Sequence, residues 1–300
     1  MALDAVGPSR SLLTLDHVNL HGMNDSRIPG DSADSVTLDA LWLAHRKLEQ
    51  ETENSVRISE RNIGIVHTGR QNRALFVFAK LILHNMSVLS IAAKYLCDHA
   101  GRGLLDHFSI GTLGRASIDA CLMTLYISTD GLSRDSWNLR RNVLYLHDLT
   151  TRKRFLSALC KVTDSDDPAF FESYPSAKAK IIENIERLAQ KLEYSDDVIA
   201  DLKKGQRVFI DGARGAVREA GLDVDLFDFQ YSYLSAHVHS HPVSFMRGDE
   251  HNIKFEGASR FQINFVTLVL DSVFAYTNAT NLRMDAFTID EKSDHLGHIE

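Results

Sequence analysis

Proline is scarce in this chain, with 5 in 300 residues, two of them before residue 30. Glycine is modest at 17. A turn-rich β architecture needs many more such residues, so their scarcity favours long helices. Cysteine is scarcer still. Cys97, Cys121 and Cys160 are odd in number and far apart. They form no CxxC pair and no disulfide framework, which fits a reducing compartment. Positive charge is not in excess either: the net charge is -7 and the pI about 6.0. No global basic field is present to hold nucleic acid, so any such binding needs a local patch. The N-terminus "MALDAVGPSRSLLTLDHVNLHG" has no basic start followed by an apolar core, and hence no secretory signal. The most apolar run, "ALFVFAKLILHNMSVLSIAAKYL", is interrupted by Lys80, His84, Asn85 and Lys94. A core helix tolerates these better than a membrane span does. A cytoplasmic protein without a membrane segment is expected. Walker, GxSxG, HExxH and GxGxxG signatures are all missing, which removes support for the main nucleotide-dependent and hydrolase folds.

Helical periodicity fills the chain. Residues 1–34 read as an irregular leader. Leu38, Leu41, Trp42 and His45 recur at helical spacing and predict a helix over about 36–58. Further helices are expected at about 70–99, ended by "GRG" at 101–103, and at 105–128 and 133–160. A turn-rich break follows, punctuated by Pro168 and Pro175, and a helix over 176–193 has Ser176 as its cap. The segments 195–204, 206–220, 225–239 and 258–280 complete the set. "HNIKFEG" (251–257) reads as a short strand or a loop, and 285–300 as a frayed polar tail. The expected fold is therefore all-α. It is a single multi-helix bundle of roughly seven to nine helices over 35–284, with the charged helices between 176 and 220 as an outer layer.

Two stretches carry candidate chemistry. In "YSYLSAHVHSHP" (231–242) three histidines alternate at 237, 239 and 241. Phe227, Tyr231, Leu234 and Val238 form an apolar stripe at helical spacing, with Pro242 ending the helix near His241. On a helix, residues turn by about 100° each, so His237 and His239 point about 200° apart and cannot share a metal. No metal and no cofactor is expected. A β-ribbon, which would bring the histidines to one face, is the weaker alternative. The helical register instead aligns Tyr231, Ser235 and His239, one per turn. A phenol, a hydroxyl and an imidazole suit ligand hydrogen bonding or proton transfer, or else they are a polar flank bonded to backbone. In "GTLGRASIDACLMTLYIS" (111–128), Arg115 and Asp119 are the only charged residues after 112 and sit four apart on one face. They read as a buried structural ion pair or as an anion site presenting the planar guanidinium.

These two motifs resemble those of a bacterial family of helical proteins with no established activity. Its first motif reads L-x-R-x3-E and its last Y-x2-L-S-x3-H. This chain has "LGRASID", with Asp119 where the family has Glu, and "YSYLSAHVH". The resemblance covers about 70–280 and is specific in these motifs alone. It is similar in style to small nucleotide-handling and phage-defence proteins. HEPN ribonucleases carry Arg followed by four to six residues and His, and "RNVLYLH" (141–147) fits. Arg61–His67, Arg102–His107, Arg10–His17 and Arg140–His147 fit as well, so the spacing discriminates little.

Two functional readings stay open. In one, Arg115 and His239 are catalytic, with Asp119, Tyr231 and Ser235 binding a phosphate-containing ligand or RNA, as in a defence or toxin-type nuclease. In the other, the chain is a non-catalytic helical interaction protein of a toxin–antitoxin or defence system. A homodimer or a protein partner is compatible with both. The Arg115 and Tyr231 helices are expected to pack side by side, with all five residues around one pocket and Arg115 and Asp119 mostly out of solvent.

Overall fold

The computed structural model describes residues 35–97, 103–163, 167–246 and 248–297. The leader 1–34 and most of the "GRG" helix stop lie outside the described residues. Among the described residues there are nine α-helices and no strand. They are α1 (Ser35–Arg61), α2 (Gly69–Leu96), α3 (His107–Ile127), α4 (Arg134–Thr163), α5 (Pro168–Lys191), α6 (Asp196–Leu202), α7 (Gly212–Glu219), α8 (Val224–Val238) and α9 (Arg260–Phe287). Residues 251–257 form a loop.

The helices start where side chains can satisfy their free N–H groups. Thr68 and Gln71 make a capping box on α2, and Ser259 and Gln262 make one on α9. Asp106 caps α3 and Asp223 caps α8. At α5 the expectation needs correction. Ser176 is not its cap, since the Ser176 hydroxyl donates to Ser173 O at 2.9 Å within the helix. Asp167 caps the helix instead, accepting from Phe170 N, and Pro168 occupies the first turn. Proline is well placed there because its missing N–H would be unpaired in any case. Pro175 lies inside the same helix.

The described residues fall into two compact units, which meet in sequence at 128/129, 222/223 and 294/295. The first two junctions lie beside glycine turns, at Gly131 (φ 70°) and Gly221 (φ 72°). Unit 1 contains α1, α2, α3, α8 and α9. In it α9 packs along α1 and α3, α2 lies against α1 and α3, and α8 lies on α3. The close approach of α3 and α9 requires glycine. A Cβ at Gly114 would stand 2.3 Å from Val269 Cγ1, and one at Gly111 would stand 2.9 Å from the Phe265 ring. Among the described residues α2 is the one helix long and apolar enough by composition to cross a membrane. In the fold Phe78, Leu81 and Val88 on one side of it are fully buried, while Phe76, Leu83 and Met86 on the other are exposed.

Unit 2 contains α4 to α7. The charged helices after 176 have a core of their own there: Ile185, Leu188, Ile199 and Leu202 close over Leu139, Val143 and Leu146 of α4.

The segment read as a polar tail behaves otherwise over its described part. α9 continues to Phe287, and a 3-10 turn at Glu291–Ser293 follows. Asp294 is then inserted into unit 1, where its carboxylate meets Arg70 Nη1 at 2.9 Å and accepts from Thr68 Oγ1 at 2.8 Å. Arg70 Nε donates to Ile127 O at 2.7 Å, and its guanidinium carbon lies 4.8 Å from the Phe287 ring centroid. Gln71 Nε2 donates to the Phe287 and Asp290 carbonyls, each at 2.7 Å. The start of α2 is thereby tied to the chain leaving α9.

Candidate functional site

α3 and α8 pack together in unit 1 and bring four of the five anticipated residues into contact. The guanidinium carbon of Arg115 lies 3.4 Å from the ring centroid of Tyr231. Its Nε donates to Ser235 Oγ at 3.2 Å, and that hydroxyl donates back along α8 to Tyr231 O at 2.6 Å. Arg115 Nη1 makes an ion-pair contact with Asp119 Oδ2 one turn along α3. The same Nη1 is buried without a well-aligned hydrogen bond. The pair is lopsided: Arg115 is 9% exposed, whereas the Asp119 side chain is 54% exposed. The expectation that both are mostly out of solvent therefore holds for the arginine and fails for the acid. Asp119 lies on the outer side of α3, where solvent hydrates it.

His239 is placed differently from its expected position in the ridge. α8 ends at Val238, three residues before His241, because Ser240 takes a left-handed conformation (φ 49°) and His241 N closes on Ala236 O at 2.9 Å. A turn of this kind satisfies the last carbonyls of a helix. His239 is the cap residue, its N–H donating to Ser235 O at 3.2 Å, and its exposed ring stacks on His241 at 5.5 Å between centroids. Among the described residues no hydrogen bond, ion pair or ring contact joins His239 to Arg115. The four-residue spacing from Ser235 aligns side chains only while the helix lasts. Val238, expected on the apolar stripe, is the last residue of α8 and is exposed.

The histidine that enters the fold is His237, on another side of α8. Its ring lies 4.5 Å from Phe265, 5.6 Å from Tyr233 and 6.2 Å from Phe108, between centroids. Burial, and then the neighbouring His107, push its pKa down to about 4, so it is neutral at pH 7. His107, at the start of α3, is itself buried and its pKa is lowered by desolvation. Gln262 Nε2 donates to its Nδ1 at 3.4 Å, and its Nε2 has no partner. A sequence signal for this region did exist. Phe229, Tyr233 and His237 are spaced by four and four, a second row parallel to Tyr231, Ser235 and His239.

Comparison with protein-family models, curated proteins and solved structures finds no match. The site therefore rests on its geometry. Among the described residues no group of three His, Cys, Asp or Glu side chains is arranged to hold a metal ion. Arg141 and His147, the HEPN-type pair, lie on α4 in unit 2, where His147 lines a cavity of about 590 Å³ with Thr151, Arg154 and Lys204.

Chemically, the Arg115 cluster is a guanidinium held in one orientation. Tyr231 covers its face, Ser235 fixes its Nε edge, and its remaining edge turns toward an acid that is half in water. Planar N–H donors fixed in this way match the paired oxygens of a carboxylate or phosphate.

Proposed function

We propose that this chain is a cytoplasmic helical protein that binds a phosphate-containing ligand, RNA among them, at the Arg115 cluster of unit 1. The observation that carries the reading is the lopsided ion pair. Arg115 is buried and held by Tyr231 and Ser235, while its counter-ion Asp119 is exposed and can swing into solvent. A phosphate oxygen pair can replace Asp119 at a guanidinium that needs no reorientation, which lowers the entropic cost of binding. Tyr231 and Ser235 hold the arginine, and His239, exposed one turn beyond Ser235, is available to a ligand larger than phosphate. The finer reading, a defence or toxin-type nuclease with His239 as acid or base, draws its support from the likeness of the two motifs to the helical family described above.

One observation favours a second reading, a non-catalytic helical interaction protein in which Arg115 clamps α3 to α8. The face, the Nε and the Nη1 of the guanidinium each already have a neighbour within the chain. Asp119→Asn separates the two. At a ligand site it removes the competing anion, so calorimetry should show inorganic phosphate or a short single-stranded RNA binding severalfold more tightly than to the unmodified chain, and Arg115→Lys should abolish that binding. In a clamp, Asp119→Asn should lower the melting temperature, and neither protein should bind phosphate or RNA.

A further inference from the structure

We propose that unit 1 holds a second site, independent of the Arg115 cluster: a pocket for one uncharged planar heteroaromatic ring system of nucleobase size, lined by Tyr233, His237, His251 and Phe261. A cavity of about 180 Å³ opens there between α8, the start of α9 and the loop residues 243–244 and 248–253. A cavity of roughly 150 Å³ is enough to take benzene, so this one suits a single ring or two small fused rings.

Its walls are flat. His251 stacks on Phe261 at 3.9 Å and 5°, and Phe229 on Tyr233 at 5.9 Å and 8°. Aromatic walls of this kind suit edge or face contacts with a further planar ring. Among the described residues no Asp, Glu, Lys or Arg lines the cavity. The described lining residues offer a charged ligand no counter-ion for the hydration it would lose, which suits an uncharged one.

The polar groups present suit the edge of a heterocycle better than a hydrocarbon. His237 makes no hydrogen bond among the described residues. Its Nδ1 is buried without a partner, whereas its Nε2 is not among the fully buried atoms. The Tyr233 hydroxyl also has no hydrogen-bond partner among the described residues. A neutral imidazole offers one donor and one acceptor, and a neutral phenol offers both, which is the complement of a ring nitrogen beside an amino or carbonyl group. His237 Nε2 and the Tyr233 hydroxyl keep solvent access and have no hydrogen-bond partner among the described residues, so both are available to a ligand that enters this cavity.

The pocket is built without a ligand. Gln262, fully buried at the start of α9, accepts from the N–H groups of Lys254 and Ser259, each at 2.9 Å, and donates to Lys254 O at 3.0 Å. Ser259 Oγ donates to His251 O at 3.1 Å, and Ile253 N to Gly248 O at 3.0 Å. The loop carrying His251 is thus fastened to the helix carrying Phe261, and little has to be ordered on binding.

The test is calorimetric titration of the full chain with adenine, cytosine and indole, and with adenosine and a six-nucleotide single strand. Ligands of this size reach dissociation constants on the order of tens to hundreds of micromolar. Adenine or cytosine is expected to bind in that range. His237→Phe keeps the ring and removes the nitrogens, so it should weaken the bases about tenfold and leave indole within about twofold. Val243→Trp, at the exposed rim, should block every probe, and circular dichroism checks that both variants keep their helix content. Adenosine binding identifies a free nucleoside as the source of the ring. Binding of the strand that Val243→Trp abolishes, without binding of adenosine, identifies a base within RNA. Failure of all probes at millimolar concentration overturns the proposal. So does base binding that survives both variants, or an equal loss of bases and indole in His237→Phe. The Asp119 and Arg115 variants lie outside this pocket and should leave base binding unchanged, so the two proposals fail separately.

Discussion

Among the described residues unit 1 contains two buried arginines, Arg70 and Arg115, and the same substitution in each should have different consequences. Arg70→Ala removes a side chain that is 2% exposed and leaves Asp294, which is 0% exposed, without its counter-ion. Thr68 still donates to that carboxylate, but a neutral hydroxyl does not replace the charge of a guanidinium. Stranding a buried charge costs about 3–5 kcal/mol. Arg115→Ala strands nothing of the kind, because Asp119 is 54% exposed and water takes over. What is lost is the Nε bond to Ser235, about 1 kcal/mol, and the contact with Tyr231, about 1 kcal/mol. The sequence alone predicts a buried pair at 115 and 119 and the larger penalty for Arg115; the exposure of Asp119 reduces it to about 2 kcal/mol. The two variants should therefore differ by roughly 2 kcal/mol, a factor of about 30 in the unfolding equilibrium. The chain has two tryptophans, Trp42 in unit 1 and Trp137 in unit 2. Urea unfolding followed by Trp42 fluorescence in a Trp137→Phe background reports unit 1, and an unchanged slope against urea keeps the comparison valid. Arg70→Met combined with Asp294→Leu should recover most of the loss, since no charge is then left buried. If Arg115→Ala costs as much as Arg70→Ala, or more, the reasoning from the exposure of the remaining carboxylate is wrong.

Acid should weaken unit 1 through His237. Its pKa is about 4 in the fold against about 6.5 unfolded, so between these values the unfolded chain binds the proton and the folded one does not. The contribution is fully present above pH 6.5 and is lost as pH falls toward 4, by about 1–2 kcal/mol once solvent screening of the half-buried ring is allowed for. His107 shifts in the same direction, and burial keeps the Tyr233 phenol neutral throughout. The urea midpoint should fall less between pH 7 and 4.5 in His237→Phe than in the unmodified chain; an equal fall in both would refute this. Gly114→Ala should destabilise by about 1–3 kcal/mol, because the new Cβ would meet Val269 at 2.3 Å. Val269→Ala in the same chain should restore part of the melting temperature, and a neutral Gly114→Ala would show that α3 and α9 do not approach so closely.

The helices were legible in the sequence because their information is local: apolar spacing of three and four, caps such as Thr68 with Gln71, and few breakers. The meeting of Arg115 with Tyr231 and Ser235 could be inferred from complementarity, since a charge on an apolar helix and a polar row on another need each other. The limits of local reading also show at particular residues. Pro168 looks like a stop in the sequence and is a start in the fold, because proline is excluded from a helix interior more strongly than from its first turn. His239 sits four residues after Ser235, yet as the cap residue of α8 its ring lies in solvent against His241 rather than against Arg115.

Secondary structure and the all-α class were thus determined by the sequence itself, through interactions between residues a few positions apart, while the meeting of α3 with α8 was only suggested by the complementary polar groups on the two helices. Tertiary structure alone decided which groups lose their water. Arg70 and Asp294 are 224 residues apart, and no periodicity relates them. His237 is neutral because of Phe265 on α9 and His107 on α3, while His239, two residues on, is in solvent. Asp119 and Arg115 share one helix face, yet only the arginine is covered. Desolvation depends on everything packed around an atom, and that environment comes into being only when distant helices close over it.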